Sequence, residues 1–407
     1  MSFHGMWAEL LPVGRSSATG GYRRFGWTAA DAECRAWFVR QAGERGLSQE
    51  TDRNGNQWAW LGDPARGDAV VTGSHLDSVP DGGAFDGPLG VVSAFAALDE
   101  LRSRGAVLRR PLGIVNFAEE EGARFGPACL GSRLLTGALD AERARRLTDG
   151  DGVTLPRAME AAGQDPDAIG PDPERLARIG AFVELHVEQG RALELTGDPV
   201  GVASAIWPHG RWRFDFRGEA NHAGTTRLAD RHDPMIGYAE TVLAARREAE
   251  RTGAVATFGK VAVEPNGVNA VPSLVRGWLD ARAPAPDTLD TLVGAVERAA
   301  RRHAAAHGVA LDVARESLTP LVDFDHGLRD ALVRLLARDA DPSRRVPVLG
   351  TGAGHDAGVL SGAVPTAMLF VRNPTGVSHS PAEFAAEDDC VAGVLALADV
   401  LEGLART

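Results

Sequence analysis

Lysine is nearly absent from this 407-residue chain: Lys260 is the only one, and the other 42 basic residues are arginines. Lys260 lies in Phe-Gly-Lys-Val, outside any Gly-rich loop. A phosphate-cradling Walker lysine is therefore excluded. A Schiff-base lysine would have to be Lys260 itself, and nothing around it suggests one. Cysteine is scarce too. Cys34, Cys129 and Cys390 are far apart and form no CxxC pair, which argues against a disulfide framework and a Cys-zinc knuckle and fits a reducing cytoplasm. Long apolar runs are missing: a stretch such as Val364–Val371 is far too short to span a bilayer. Met1–Arg24 has no basic region followed by an apolar one, so no signal peptide is expected. Positive charge is in deficit, with a net charge of −12. Nucleic acid is thus not an expected partner, and an anionic substrate must be held by local arginines. The expectation is a soluble cytoplasmic protein with no membrane partner.

What is present is an alternation of short apolar runs and amphipathic stretches. Asp68–Ser74 and Pro111–Ala118 read as buried strands, and Gly90–Arg104 between them as a helix with Val91, Phe95, Leu98 and Leu101 on one face. Strand, helix, strand is the unit of a parallel α/β sheet. Thr366–Val371 and Asp388–Leu404 repeat strand and helix near the end. The middle differs. Arg211–Arg217 alternates as an antiparallel strand does. A helix (Pro234–Thr252), two strands (Ala254–Val263, Ser273–Ala281), a helix (Leu289–His307) and a strand (Ala310–Arg315) follow, giving a βαββαβ order. The predicted organisation is an α/β domain of residues 1–208 and 326–407, interrupted by a smaller α+β domain of residues 209–325. The polar, Gly/Pro/Asp-rich stretch Asp149–Pro173 reads as a mobile loop or the rim of a lid.

Residues that could carry chemistry gather at predicted strand ends. His75 and Asp77 are two apart after the first core strand, so Asp77 could hold a metal-ligating imidazole through its ring N–H; the alternative is a loop histidine bonded to backbone. Asp86 sits in a Gly-rich turn eleven residues on, either an ordinary Asp-Gly turn or a carboxylate able to approach a cation closely. Glu119, Glu120 and Glu121 follow the second strand, as a solvated acidic loop or as carboxylates neutralised by a metal, with one neighbour serving as general base. His186 shares a strand face with Glu184 and Glu188, as a core histidine or a ligand, and His379 follows the last strand. Imidazoles and carboxylates without cysteine suit Zn²⁺, Mn²⁺, Co²⁺ or Ni²⁺, and two ions sharing a carboxylate would account for so many donors. Two other signals are read as decoys. His303 and His307, at i and i+4, read as a surface helix, and Gly350–Asp356 lacks the GxGxxG spacing of a dinucleotide loop.

Taken in order, GSHLDS, GGAFDG, EEEGARF, ELHVEQG, NHAGTT, PNGVNAVP, DAR, GAGHDA and HSPAE cover nearly the whole chain. Together they resemble the M20 metallopeptidase-related family, in particular its amidase/carbamoylase branch of N-carbamoyl-L-amino acid hydrolases, allantoate amidohydrolases and β-ureidopropionases. The resemblance implies two divalent ions per subunit held by His75, Asp86, Glu121, His186 and His379, with Asp86 bridging. It implies Glu120 as general base and acid, and His222 as the oxyanion donor, supplied by the partner subunit of a homodimer built on the inserted lid/dimerisation domain. Gln189, Asn269, Arg282 and Gly354 would bind substrate, Arg282 taking its carboxylate. Arg227-Leu228 stands where the family has Pro-Met, and Ile206–Arg213 replaces a Gly-rich segment, where Arg211 could contact substrate. The expected reaction is hydrolysis of a linear amide or ureido bond by a water acidified on the metal. The rivals are an N-formyl or N-acyl amino acid hydrolase, an M20 dipeptidase (disfavoured by His186), and a catalytically silent binding protein.

Overall fold

The computed structural model describes residues 2–337 and 345–406. The chain divides into two compact units, residues 1–204 with 323–407 and residues 205–322. The chain crosses between them a few residues earlier than the 208/209 and 325/326 boundaries read from the sequence.

The first unit is built on a mixed sheet in the order Ser48–Thr51, Gln57–Leu61, Leu112–Phe117, Ala69–His75, Ile179–Val187, Thr366–Val371, Val200–Ile206, Val322–Asp323. The four strands from Leu112–Phe117 to Thr366–Val371 are parallel, and their neighbours on both sides are antiparallel. Every residue of Ala69–His75, Leu112–Phe117 and Thr366–Val371 is buried, which is why these strands read as short, mostly apolar runs without alternation. In Ile179–Val187 the alternation has a direction: Val183, Leu185 and Val187 enter the main core, leaving Glu184 and His186 on the opposite face. The helices Phe3–Leu10, Ala29–Glu44, Pro88–Ser103 and Glu387–Ala405 contribute to the same core. Pro88–Ser103 begins with a proline, whose missing N–H is one of the donors a helix start cannot pair anyway.

One sequence expectation is corrected here. Asp149–Pro173 is not a bare loop: it contains the helix Leu155–Ala161, N-capped by Thr154, and a short 3₁₀ turn at Pro166–Ala168. Leu155, Ala158, Met159 and Ile169 join Phe125, Leu130 and Leu134 in a satellite core. The apolar i, i+3, i+4 spacing of three residues outweighed a turn-rich composition.

The second unit runs β-α-β-β-α-β, with two short extra strands. Its antiparallel sheet has the order Ala310–Thr319, His209–Arg217, Leu274–Arg282, Val255–Glu264. Trp212, Phe214 and Phe216 pack with residues of the helices Pro234–Thr252 and Pro286–Ala306 in a separate core. On those helices His303 and His307 share the Glu240 carboxylate, at 3.0 and 3.1 Å. Lys260 lies 4.4 Å from the Trp278 ring centre, a cation–π contact. No helix among the described residues is long and apolar enough to cross a membrane.

Candidate metal centre and active site

The C-terminal edge of parallel strands is where α/β sheets place their ligands. Here that edge carries His75 at the end of its strand, Glu119–Glu121 just beyond Leu112–Phe117, His186 one residue before the end of its strand, and His379 after Thr366–Val371. Asp86 enters from the turn before the helix Pro88–Ser103. Gly87 in that turn has φ +83°, and a Cβ there would come within 2.4 Å of the His75 ring, so only glycine lets the turn close over the imidazole.

Two three-residue clusters have ligand atoms close enough to hold an ion: His75, Asp86 and His186, and Asp86, Glu121 and His379. They share Asp86. Its Oδ1 lies 3.6 Å from His75 Nε2 and 3.1 Å from His186 Nε2, while its Oδ2 lies 3.2 Å from His379 Nε2. Glu121 Oε2 is 3.7 Å from the same His379 nitrogen. His186 Nδ1 faces the Val187 carbonyl at 2.9 Å, and His75 Nδ1 faces the Asp77 carbonyl and carboxylate at 3.2 and 3.3 Å. These contacts put the proton on Nδ1 and leave Nε2 of both rings as a lone-pair donor. Both Nε2 atoms are buried and have no hydrogen-bond partner among the described residues. Orphaned imidazole nitrogens converging on one carboxylate, with oxygen and nitrogen donors only, fit a divalent cation. A third cluster, Glu184, His186 and His355, draws on the same His186.

Asp77 does more than face His75. Its two oxygens accept the backbone N–H groups of Glu120 and Glu121 at 3.1 and 3.0 Å, tying the acidic turn to the histidine. Glu119 turns the other way, accepting from Gly26, Arg124 and Phe125. Glu120 points inward: Oε2 is 3.7 Å from His75 Nε2, and Oε1 accepts from the Cys129 thiol at 3.1 Å. The Gln189 amide nitrogen lies 2.9 Å from Asp86 Oδ2 and 3.0 Å from Ser378 Oγ. Gly354 immediately precedes His355, whose buried ring lies 4.4 Å from that of His186.

The remaining site residues read from the sequence lie in the second unit. His222, exposed on a two-residue strand, pairs with Ala270, next to Asn269. Its Nδ1 accepts the backbone N–H groups of Gly224 and Thr225 at 3.1 and 3.2 Å. The neutral ring is therefore the Nε2–H tautomer, a donor. Arg282 forks onto Asp280 at 2.8 and 3.2 Å, and Arg211 reaches the same carboxylate at 3.6 Å.

Sequence reasoning passed over Glu383, Glu184, Asp356 and Cys129 as functional candidates. Glu383 lies inside the HSPAE motif, but its burial is visible only in the fold. Glu184 accepts from Ser74 Oγ at 2.6 Å and from the Ala357 N–H, and Ser132 donates to Asp356 at 2.5 Å. Cys129 had no signal, since a lone thiol four residues past the EEEGARF motif carries no pattern.

So many buried carboxylates perturb one another. Burial, then Asp77, pushes Glu119 up to about 7, and burial, then Asp86, pushes Glu121 up to about 7. Burial also raises Glu120 well above its ordinary range, although His75 opposes it. The bond to Asp86, reinforced by Glu121, raises His379 to about 9. Each of these groups holds its proton more tightly folded than unfolded. The stability it contributes is therefore fully present below its ordinary pKa and lost as pH rises through the folded value. Buried His355, whose pKa is lowered by burial, acts oppositely, but only below its ordinary value of 6.5. Metal-free protein should lose thermal stability between pH 6.5 and 9, the window set by His379, while the losses from Glu119 and Glu121 fall lower, between pH 4.5 and about 7. Added Mn²⁺ should stabilise more strongly as pH rises across that range, because the ligands must shed those protons to bind it. Melting curves in chelator and in Mn²⁺ across this range measure both slopes; a flat chelator series contradicts the expectation.

An α/β sheet with imidazoles and carboxylates gathered at the ends of its parallel strands has the donor set of a candidate metal site. The chain belongs to the Peptidase family M20/M25/M40, whose pattern matches residues 71–403. It is 35% identical over 410 residues to an N-carbamoyl-L-amino acid amidohydrolase of Geobacillus stearothermophilus, covering 98% of each chain. It is 33% identical to the allantoate amidohydrolase of Escherichia coli K12, covering 95% of this chain and 93% of that one. Among solved structures, an amidase of the hydantoinase/carbamoylase family from Burkholderia multivorans superposes with a TM-score of 0.89 at 30% identity, covering 100% of this chain and 97% of that chain.

Proposed function

We propose that this protein is a binuclear-metal amidohydrolase that cleaves the linear C–N bond of an N-carbamoyl-L-amino acid or of allantoate. It is a hydrolase of carbon–nitrogen bonds other than peptide bonds. The observation carrying the proposal is the pair of three-residue clusters sharing Asp86, with Glu120 beside them. His75 and His186 would hold one ion, Glu121 and His379 the other, with Asp86 between. When bound, Zn²⁺, Mn²⁺, Co²⁺ or Ni²⁺ supplies Lewis acidity and acidifies a water.

The chain's own residues do the rest. Asp77 fixes the His75 ring and the turn bearing Glu120. Glu120 takes the proton of the attacking water and returns it to the departing nitrogen. His222, as the Nε2–H tautomer, donates to the oxyanion that forms on the substrate carbonyl. Gln189, Asn269 and the Gly354 backbone orient the substrate, and Arg282 holds its carboxylate, with Arg211 beside it. With a carbamoyl substrate the acyl product is carbamate, which decomposes to CO₂ and ammonia.

His222 acts from the partner subunit of a homodimer formed through the second unit. Supporting this, Val255–Glu264 is an edge strand with Val255 and Val261 exposed, and the adjoining helix exposes Ile236 and Leu243. The three cysteines are free and buried, which suits a reducing cytoplasm.

The decisive experiment supplies Mn²⁺-loaded protein with N-carbamoyl, N-formyl and N-acetyl amino acids and with allantoate, following ammonia, formate or acetate release. Ammonia from a carbamoyl substrate or allantoate supports the proposal. Turnover of only formyl or acetyl substrates replaces it with the acylase reading, and inertness towards all of them replaces it with a binding protein.

The carboxylate role of Arg282 has its own test. The guanidinium must leave or share Asp280 to hold a substrate anion, and its planar fork is what a lysine lacks. Arg282→Lys should cost about 2–5 kcal/mol in kcat/KM for a carboxylate substrate and much less for the carboxamide analogue. Equal losses would make the Arg282–Asp280 pair purely structural.

A further inference from the structure

We infer that Glu383 is a positioning residue that sets the bridging carboxylate of Asp86 by clamping the backbone of its turn; this rests on the binuclear reading above. Glu383 is 5% exposed, yet among the described residues none of its bonds goes to a cationic side chain. Its Oε1 accepts two consecutive backbone N–H groups, from Phe85 at 2.8 Å and Asp86 at 2.9 Å, almost three hundred residues away in sequence. Its Oε2 accepts from Ser378 Oγ at 3.3 Å, and that hydroxyl is also 3.3 Å from Asp86 Oδ2.

The turn is shaped to receive this side chain. A Cβ on Gly83 would come within 2.3 Å of the Glu383 carboxylate, so the glycine makes room for it. Phe384, the next residue, meets the Phe85 ring edge-on at 6.2 Å, and Trp7 stacks on Phe85 at 4.9 Å. The loop that carries Glu383 also carries His379, held at φ +55°, a conformation a non-glycine residue adopts only when its surroundings enforce it. Glu383 thus joins the loops of two residues of one cluster, Asp86 and His379, at a fixed spacing. Without it, Asp86 keeps its place beside His75 and His186 but loses its alignment towards Glu121 and His379.

Reach and charge can be separated by two substitutions. Glu383→Asp keeps the charge but is one methylene short of the backbone donors. Glu383→Gln loses the charge but keeps an acceptor oxygen at the same reach. Metal-free full-length protein is titrated with Mn²⁺ and followed by electron paramagnetic resonance, which distinguishes isolated Mn²⁺ from a spin-coupled pair. Wild type should take up two ions and develop the coupled signal. Glu383→Asp should bind the first ion normally and the second about 10–100-fold more weakly, with the coupled signal displaced to higher Mn²⁺. Glu383→Gln should stay close to wild type. A wild-type titration for Glu383→Asp, or the reverse order in which Gln is impaired and Asp intact, overturns the clamp. If wild type itself shows only isolated Mn²⁺, the binuclear reading fails and the clamp falls with it, an outcome recognised without any variant.

Discussion

Glu120→Gln should retain both metal ions and lose about 10²–10⁴-fold in kcat, the range a positioned general base contributes. Glu120 belongs to neither cluster that can hold an ion through Asp86. Its Oε2 stands 3.7 Å from His75 Nε2, and its Oε1 is occupied by the Cys129 thiol. Gln fills the same volume and still offers the thiol an acceptor, so packing and metal affinity survive while the proton shuttle does not. His379→Ala is the contrast, since it should lose one ion while the fold persists. Metal analysis beside steady-state kinetics reads both variants. A Glu120→Gln protein with an empty site would make Glu120 a ligand, and one with full activity would place the base elsewhere.

His222→Ala should lower kcat by about 10²–10³-fold with a much smaller change in KM, as expected for a donor whose bond strengthens only when the oxyanion forms. The Nδ1 bonds from Gly224 and Thr225 already commit the neutral ring to donating from Nε2, so no tautomer exchange is needed during turnover. If the donor comes from the partner subunit, mixing Glu120→Gln with His222→Ala protein should restore activity. Random re-pairing of a two-fold dimer makes about a quarter of all sites complete. Confirmed subunit exchange with no return of activity would place His222 in its own subunit's site or outside catalysis.

What the sequence made legible was chiefly what local pattern controls. The strands Ala69–His75, Leu112–Phe117 and Thr366–Val371 are mostly apolar because both faces are buried, and candidate site residues lie at or beyond their ends. The His186 strand was readable because period-two alternation separates Val183, Leu185 and Val187 from Glu184 and His186. Features created by distant chain segments were not readable. Glu383 looks like any loop glutamate until the fold brings it to Phe85 and Asp86. The helix Leu155–Ala161 was hidden in a turn-rich stretch because its apolar residues find their partners in Leu130 and Leu134. Arg282 shows the limit differently. Two-residue spacing on a strand put Asp280 on the same face, which suits both an internal ion pair and a substrate clamp, and the pair is formed here.

The sheet order also imposes a timetable on biosynthesis. Thr366–Val371, one of the last strands to be made, lies between Ile179–Val187 and Val200–Ile206. While the ribosome is still translating, the His186 strand has an open edge, and of the two clusters sharing Asp86 only His75, Asp86 and His186 has all its members. At about 5–20 residues per second, some 10–40 s separate the emergence of His186 from that of His379. On the binuclear reading, the first cluster is therefore complete well before His379 completes the second. A product cut short before residue 379 would keep the residues of the first cluster and lack the second.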